Sequence, residues 1–318
     1  MKTSEALPLI TNSSAGFQNQ NGVCRKSNQR VGRKFKFIMA KKTITVAPVK
    51  GTTDSGFIRI APLHHPKTKV NLAELGQSSD DAELFGTELP KAPSPPKLKY
   101  YHGPLISKAK VYTIFWGKNW KSSAAFVKLE KNINQFFKDI LVSTLIDQLA
   151  EYNTPVYKIT HGSLIGSKVI TANAPGSSIT DTAIQTRLKS WIAAHTIPAW
   201  DKNTLYFIYL DKGVSVHMGG GASCTAFCGY HNHISKKDYY AVMPFPGCAG
   251  CLGGLSVLNA LTGTSSHELC EAITDAVPGT GWYDSANGEI GDICAWTFKT
   301  IAGHNVQKEW SNSMNACI

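Results

Sequence analysis

Leu205-Tyr206-Phe207-Ile208-Tyr209-Leu210 carries the clearest strand signal in the chain, six large apolar or aromatic residues that stop at Asp211 and a Gly219-Gly220-Gly221 loop. Outward from it, residues 110–116 (KVYTIFW) form a second β-branched and aromatic run and read as a buried strand. Residues 239–243 (YYAVM) read as a third strand, closed by Pro244, and 156–159 and 168–170 as two short ones. Between these runs the apolar spacing becomes helical. In 122–152, Phe126, Leu129, Ile133, Phe136, Phe137, Ile140 and Leu141 predict one or two helices. Residues 179–194 predict an amphipathic helix with Ile184, Leu188 and Ile192 on one face, and 253–275 predict one long helix. The alternation predicts an α/β domain over 99–318, a mixed sheet with packed helices.

Of the 318 residues, 42% are apolar and only 17% charged, enough to build a sizeable core. This excludes a wholly disordered chain, and collagen, coiled-coil and tandem-repeat classes lack their periods. The formal charge of +11 is uneven. Residues 1–99 hold 16 Lys+Arg against 7 Asp+Glu, and residues 100–318 hold 17 against 15. The near-neutral body gives no reason to expect a nucleic-acid partner for the folded domain. Ala6 to Thr53 has no acidic residue and few large apolar ones, so residues 1–98 read as a disordered basic tail ending in a Pro-rich linker (KAPSPPKLK, 91–99). A transit-like segment or a nucleic-acid or membrane-surface arm are the alternatives there. Met39 offers a second start, and no secretory signal is visible. Residues 239–266 have no charge, but two prolines, Asn259 and five glycines make them buried core rather than a membrane span.

Seven of the eight cysteines lie after residue 223. Cys224/Cys228 and Cys248/Cys251 are two close pairs that can hold a structural zinc or form disulfides, with Cys294 and Cys317 as a further pair. Spacing does not choose the connectivity. Cys270 sits within the long helix as a small buried apolar group, with no sign of an activated thiolate.

The chemistry concentrates in 264–296, TSSHELCEAITDAVPGTGWYDSANGEIGDICAW. On a helix, His267 and Glu271 are neighbours at i and i+4, Asp275 continues the stripe at i+8, and Glu268 lies about 100° round the axis. His267 and Glu271 can therefore share a cation, with Glu268 placed to contact its water as the catalytic base. This is the geometry of a zinc-peptidase helix with a glutamate replacing the second histidine, and by that analogy the expected form is a zincin-like single domain. A third ligand is expected from Glu289 or Asp292. One divalent metal is implied: zinc first, with calcium or manganese as harder alternatives that suit a carboxylate-rich set. The plainer reading makes Ser265 and Glu268 a capping box, with Glu271 and Asp275 as exposed helix charges. Residues 239–243 are a candidate edge strand for an extended peptide substrate.

Tyr101-His102-Gly103-Pro104, Ile114-Phe115-Trp116-Gly117, Phe227-Cys228-Gly229-Tyr230-His231, His267-Glu268-Leu269-Cys270-Glu271, Trp282-Tyr283 and Glu289-Ile290-Gly291-Asp292-Ile293-Cys294 together resemble the phosphate-induced, Exordium-like proteins. Thr274-Asp275 and Gln307-Lys308-Glu309-Trp310-Ser311-Asn312 resemble the microbial and fungal branch more than the plant one. The resemblance spans residues 100–318. It implies an extracellular, cell-wall-associated setting and disulfides at the paired cysteines, and it brings no settled reaction. Two functions are therefore expected in competition. One is a metal-dependent peptidase or amide hydrolase acting on a peptide or cell-wall substrate. The other is a non-enzymatic extracellular interaction protein whose cluster is a structural metal or hydrogen-bond site.

Overall fold

The computed structural model describes residues 60–62 and 95–318. They are organised around a six-stranded sheet of β1 (Ile60–Pro62), β2 (Lys108–Trp116), β3 (Thr160–Ile170), β4 (Thr204–Leu210), β5 (Phe227–Ile234) and β6 (Lys237–Met243). The spatial order is β1-β5-β6-β4-β2-β3. β6, β4, β2 and β3 run parallel, β5 runs antiparallel to β6, and β1 runs antiparallel to β5. The sheet is mixed, and the chain belongs to the α/β class.

Every residue of β4 is buried because both its faces are covered. Leu205, Phe207 and Tyr209 point to one core, with Phe136, Phe137 and Ile140 of α1 (Ala124–Ile140) and Leu261, Leu269 and Ile273 of α3 (Val257–Thr274). Tyr206, Ile208 and Leu210 point to the other, with Ile184, Leu188 and Trp191 of α2 (Asp181–Ala193). β2 alternates in the same way, Val111 and Phe115 against Tyr112, Ile114 and Trp116. Each such side chain contributes roughly 1.5–3 kcal/mol, so the central strands anchor both layers. On the α2 face, buried Asp181 accepts the hydroxyl hydrogens of Tyr230 and Tyr240 at 2.7 Å each and an amide hydrogen of Gln185 at 2.8 Å.

Several expectations need correction. The single helix over 253–275 is divided: a one-turn helix, Ala249–Leu252, ends at Gly253 and Gly254, whose φ values of 55° and 80° lie in the left-handed region that breaks a helix. α3 then starts beyond Ser256, whose hydroxyl accepts from the Asn259 N–H. Ser265 and Glu268 are thus interior to the helix and form no capping box. Residues 156–159 are not a strand, and pairing starts at Thr160. Residues 239–243 are not an edge, because β6 is flanked by β4 and β5. Ile60–Pro62, within the stretch read as tail, pairs as the outermost strand; the rest of residues 1–94 lies outside the described residues.

Three disulfides join Cys224–Cys248, Cys228–Cys251 and Cys294–Cys317. The two close cysteine pairs are bonded crosswise, which removes their thiolates as zinc ligands. Cys270 is buried and is the free cysteine among the described residues. The C-terminal part adds a hairpin of β7 (Phe298–Ile301) and β8 (His304–Gln307) against α3. Among the described residues, no helix is long and apolar enough to cross a membrane.

Candidate metal centre

α3 is buried at every residue of 260–263 and 265–274. A helix buried all round is ordinarily apolar. This one carries His267, Glu268 and Glu271, each with 0% exposure. Burying ionisable groups costs several kcal/mol apiece unless they are partnered, so their surroundings decide what the helix is for.

The i,i+4 pair forms as the spacing predicts: His267 Nε2 lies 3.1 Å from Glu271 Oε1. From β5, His231 enters the same pocket, its Nδ1 3.2 Å from Glu268 Oε2 and 3.5 Å from Glu271 Oε2. Glu271 therefore stands between two imidazoles. From the loop after Gly288, Glu289 brings an oxygen to 3.8 Å from His231 Nε2, and Asp292 brings Oδ1 to 3.9 Å from His267 Nε2. Two groups can hold a cation, His267-Glu268-Glu271 and His231-Glu271-Glu289, each with its donor atoms within 4.8 Å of one another. Glu271 belongs to both. Metal–donor distances near 2.0–2.2 Å put neighbouring ligands roughly 3–3.5 Å apart, the spacing of the His267–Glu271 and His231–Glu271 contacts.

Glycines make this proximity possible. A Cβ on Gly291 would lie 2.6 Å from His267 Nδ1 and 3.0 Å from Glu271 Oε1. One on Gly229 would lie 3.2 Å from Glu268 Oε1 and 2.7 Å from Thr264 Cγ2. Both positions let backbone close over the acidic groups where a side chain would push it off.

Supporting hydrogen bonds orient the two histidines. His231 Nε2 meets the Asp275 carbonyl oxygen at 3.2 Å, which fixes the proton there and leaves Nδ1 toward the carboxylates. Metal-binding histidines commonly adopt this arrangement. His267 Nδ1 meets the Gln307 side-chain amide at 2.8 Å, and that amide also donates to the Gly291 carbonyl at 2.9 Å. With the Gln307 amide donating, Nδ1 accepts and the proton of a neutral His267 sits on Nε2; offering Nε2 to a cation would require the proton to move to Nδ1 and the Gln307 amide to turn, giving up its bond to Gly291.

Burial and charge pull the protonation states apart. Burial would push His231 down, but the Glu268 and Glu271 carboxylates outweigh it and hold it up at about 10. Burial would raise Glu271, but His267 and His231 hold it down at about 2. Burial raises Glu268 despite its hydrogen bond to His231. Glu289 is pushed well above the carboxylate range by burial and then by the charges of Glu271, Asp275 and Asp292. Burial likewise raises Glu309 strongly. On its own, this pocket accommodates its acids by binding protons.

It also leaves polar atoms unmatched. His267 Nε2, Glu271 Oε2 and both oxygens of Glu289 and of Glu309 find no hydrogen bond of ordinary geometry among the described residues. Each such group costs about 1–3 kcal/mol, and more if charged. Among the described residues, Glu271 and Glu289 are ion-paired to His231 and His267, and Glu309 feels the charges of His267 and Lys299. A divalent cation would meet the shortfall, and the donor chemistry, imidazole nitrogen with carboxylate oxygen, fits one.

Of the residues singled out from the sequence, His267, Glu268 and Glu271 converge directly. Glu289 joins through His231 rather than beside His267, and Asp292 sits at the rim, its side chain 20% exposed. The Asp275 carboxylate accepts the backbone N–H groups of Gly279, Thr280 and Gly281, shaping the turn after α3, and also faces Glu289 at the edge of the pocket. His231, Gln307 and Glu309 are participants that helical spacing does not reveal, because each arrives from a separate element.

No family model matches the chain, and no curated protein is significantly similar to it.

Proposed function

We propose that the protein is a metal-dependent peptidase or amide hydrolase whose centre is built on the His267-Glu268-Leu269-Cys270-Glu271 helix. The observation that carries this reading is a pair of buried candidate groups, His267-Glu268-Glu271 and His231-Glu271-Glu289, which share Glu271 and leave buried donor atoms unmatched. Glu271 and His267 Nε2 would hold the cation, and His231 with Glu289, or Asp292, would have to draw in to complete the set. Imidazole among the donors favours zinc, or manganese next, over calcium, which takes six to eight oxygen donors. When bound, the cation would polarise the scissile carbonyl and acidify a water. Glu268 shares the helix but lies round its axis from Glu271, and burial raises its affinity for a proton, which suits a base that is ionised when a cation is bound beside it. It would take the water proton as the C–O bond forms and return it to the amine nitrogen as the C–N bond breaks. Three disulfides are compatible with an extracellular setting, and secretion is part of the proposal.

One observation favours the rival reading, a structural cation or hydrogen-bond cluster in a non-enzymatic, phosphate-induced-type protein: His267, Glu268, Glu271 and Glu289 are all closed off from solvent. Assay of Glu268→Gln separates the two. A protein that keeps its metal and loses peptide hydrolysis is the enzyme; a metal-bearing wild type with no hydrolysis of a peptide library, after removal of its N-terminal segment, is the structural protein.

A further inference from the structure

The closure of the pocket comes partly from the chain itself. β1 lies on the open edge of β5 in antiparallel register, Ile60 opposite Tyr230 and Ala61 opposite Gly229. Ala61 is 5% exposed, and its N–H points to Glu268 Oε1 at 3.3 Å. The residue across from it is the glycine whose missing side chain gives access to that same oxygen. A small pocket lined by Gly263, Thr264, Trp296, Phe298 and Gln307 adjoins Ala61. The register slips between Ala61 and Pro62, which pairs with Phe227, and Pro62 has no N–H to donate to the ladder. An extended strand with a small side chain, running along a sheet edge with its main chain on the proposed base, is how this site would seat a polypeptide.

We infer that Ile60-Ala61-Pro62 is an intramolecular occupant of the substrate cleft: the site takes an extended polypeptide with a small residue opposite Gly229, and the full-length chain holds itself closed until cut on the C-terminal side of Pro62. The inference rests on the functional reading above for the role of Glu268, and on the strand pairing alone for the occupancy. Any longer side chain at 61 has to enter a space framed by Thr264, Trp296 and Phe298, so selectivity for a small residue follows.

The test uses the full chain with a site-specific protease sequence inserted after Glu88, cut after purification and freed of the N-terminal piece by washing at moderate salt. A fluorescent peptide covering residues 56–67 (GFIRIAPLHHPK) then reports binding. The cut protein should bind it, and the uncut protein at least tenfold more weakly. N-methylation of the peptide at Ala61, which deletes the N–H to Glu268, should weaken binding about tenfold or more, and Ala61→Arg in the peptide should weaken it further. A fragment that stays bound after the cut supports the same association, and Ala61→Arg in the full chain should then release it. Cut protein without affinity for the peptide, or affinity indifferent to both changes, overturns the inference. Binding without hydrolysis in either form leaves the occupancy standing and refutes the peptidase instead.

Discussion

Replacing the two glutamates of α3 one at a time discriminates between their roles. Glu268 and Glu271 are equally buried on one helix, yet their environments are opposite. Burial favours the neutral form of Glu268, whereas Glu271 is held ionised at about 2 between two imidazoles. Glutamine copies the shape of a neutral carboxyl group. At 268 its carbonyl can still accept from Ala61 and its amide can face His231 Nδ1. Glu268→Gln should therefore cost about 1 kcal/mol, the worth of one ordinary hydrogen bond. At 271 the same change leaves His231 and His267 without their shared counter-charge, and breaking a buried pair from one side costs about 3–5 kcal/mol. The loss of metal adds a further difference, since a cation present at a hundred times its Kd stabilises the fold by about 2.7 kcal/mol. Urea unfolding of both variants with and without chelator measures this. Glu268→Gln should keep the chelator-sensitive part of the stability, and Glu271→Gln should lose it. Equal losses, or a larger loss at 268, would refute the assignment of ligand and base.

Gly291→Ala should lower metal affinity at least tenfold, seen by competition with a chromogenic chelator, because the added methyl meets His267 and Glu271 at 2.6 and 3.0 Å. Removing the Cys294–Cys317 bridge by double serine substitution should cost about 3 kcal/mol by chain entropy for a 23-residue separation, and should weaken metal binding through the Glu289–Asp292 loop just before Cys294, both read by thermal melts with and without metal. Asp181→Ala strands two buried tyrosine hydroxyls on the opposite face of the sheet and should cost about 2–4 kcal/mol in urea unfolding while leaving the metal content unchanged.

The sheet was legible where burial is two-sided. Residues 205–210 and 110–116 are apolar on both faces because both faces meet a core, so composition alone announces them. Their place in the sheet was not legible. Read locally, β6 is a candidate edge, since nothing in 239–243 says that β5 folds back to cover it and that β1 then covers β5. The start of α3 was misplaced because Gly253 and Gly254 sit inside an apolar run and break it through left-handed backbone. Within the site, the i,i+4 geometry of His267 and Glu271 follows from helical pitch and was readable. His231 was not, being 36 residues upstream of His267 in a strand whose approach to α3 is tertiary. Asp275 falls on the same stripe as predicted, but helical spacing does not show that three following N–H groups bond its carboxylate.

The centre itself is tested most directly by element-specific metal analysis of the full chain purified without chelator, repeated on Glu271→Gln and Asp181→Ala. One zinc or manganese per wild-type chain, retained in Asp181→Ala and absent from Glu271→Gln, is the expected result. Metal-free wild type that takes up neither Zn²⁺ nor Mn²⁺ when either is supplied would contradict it.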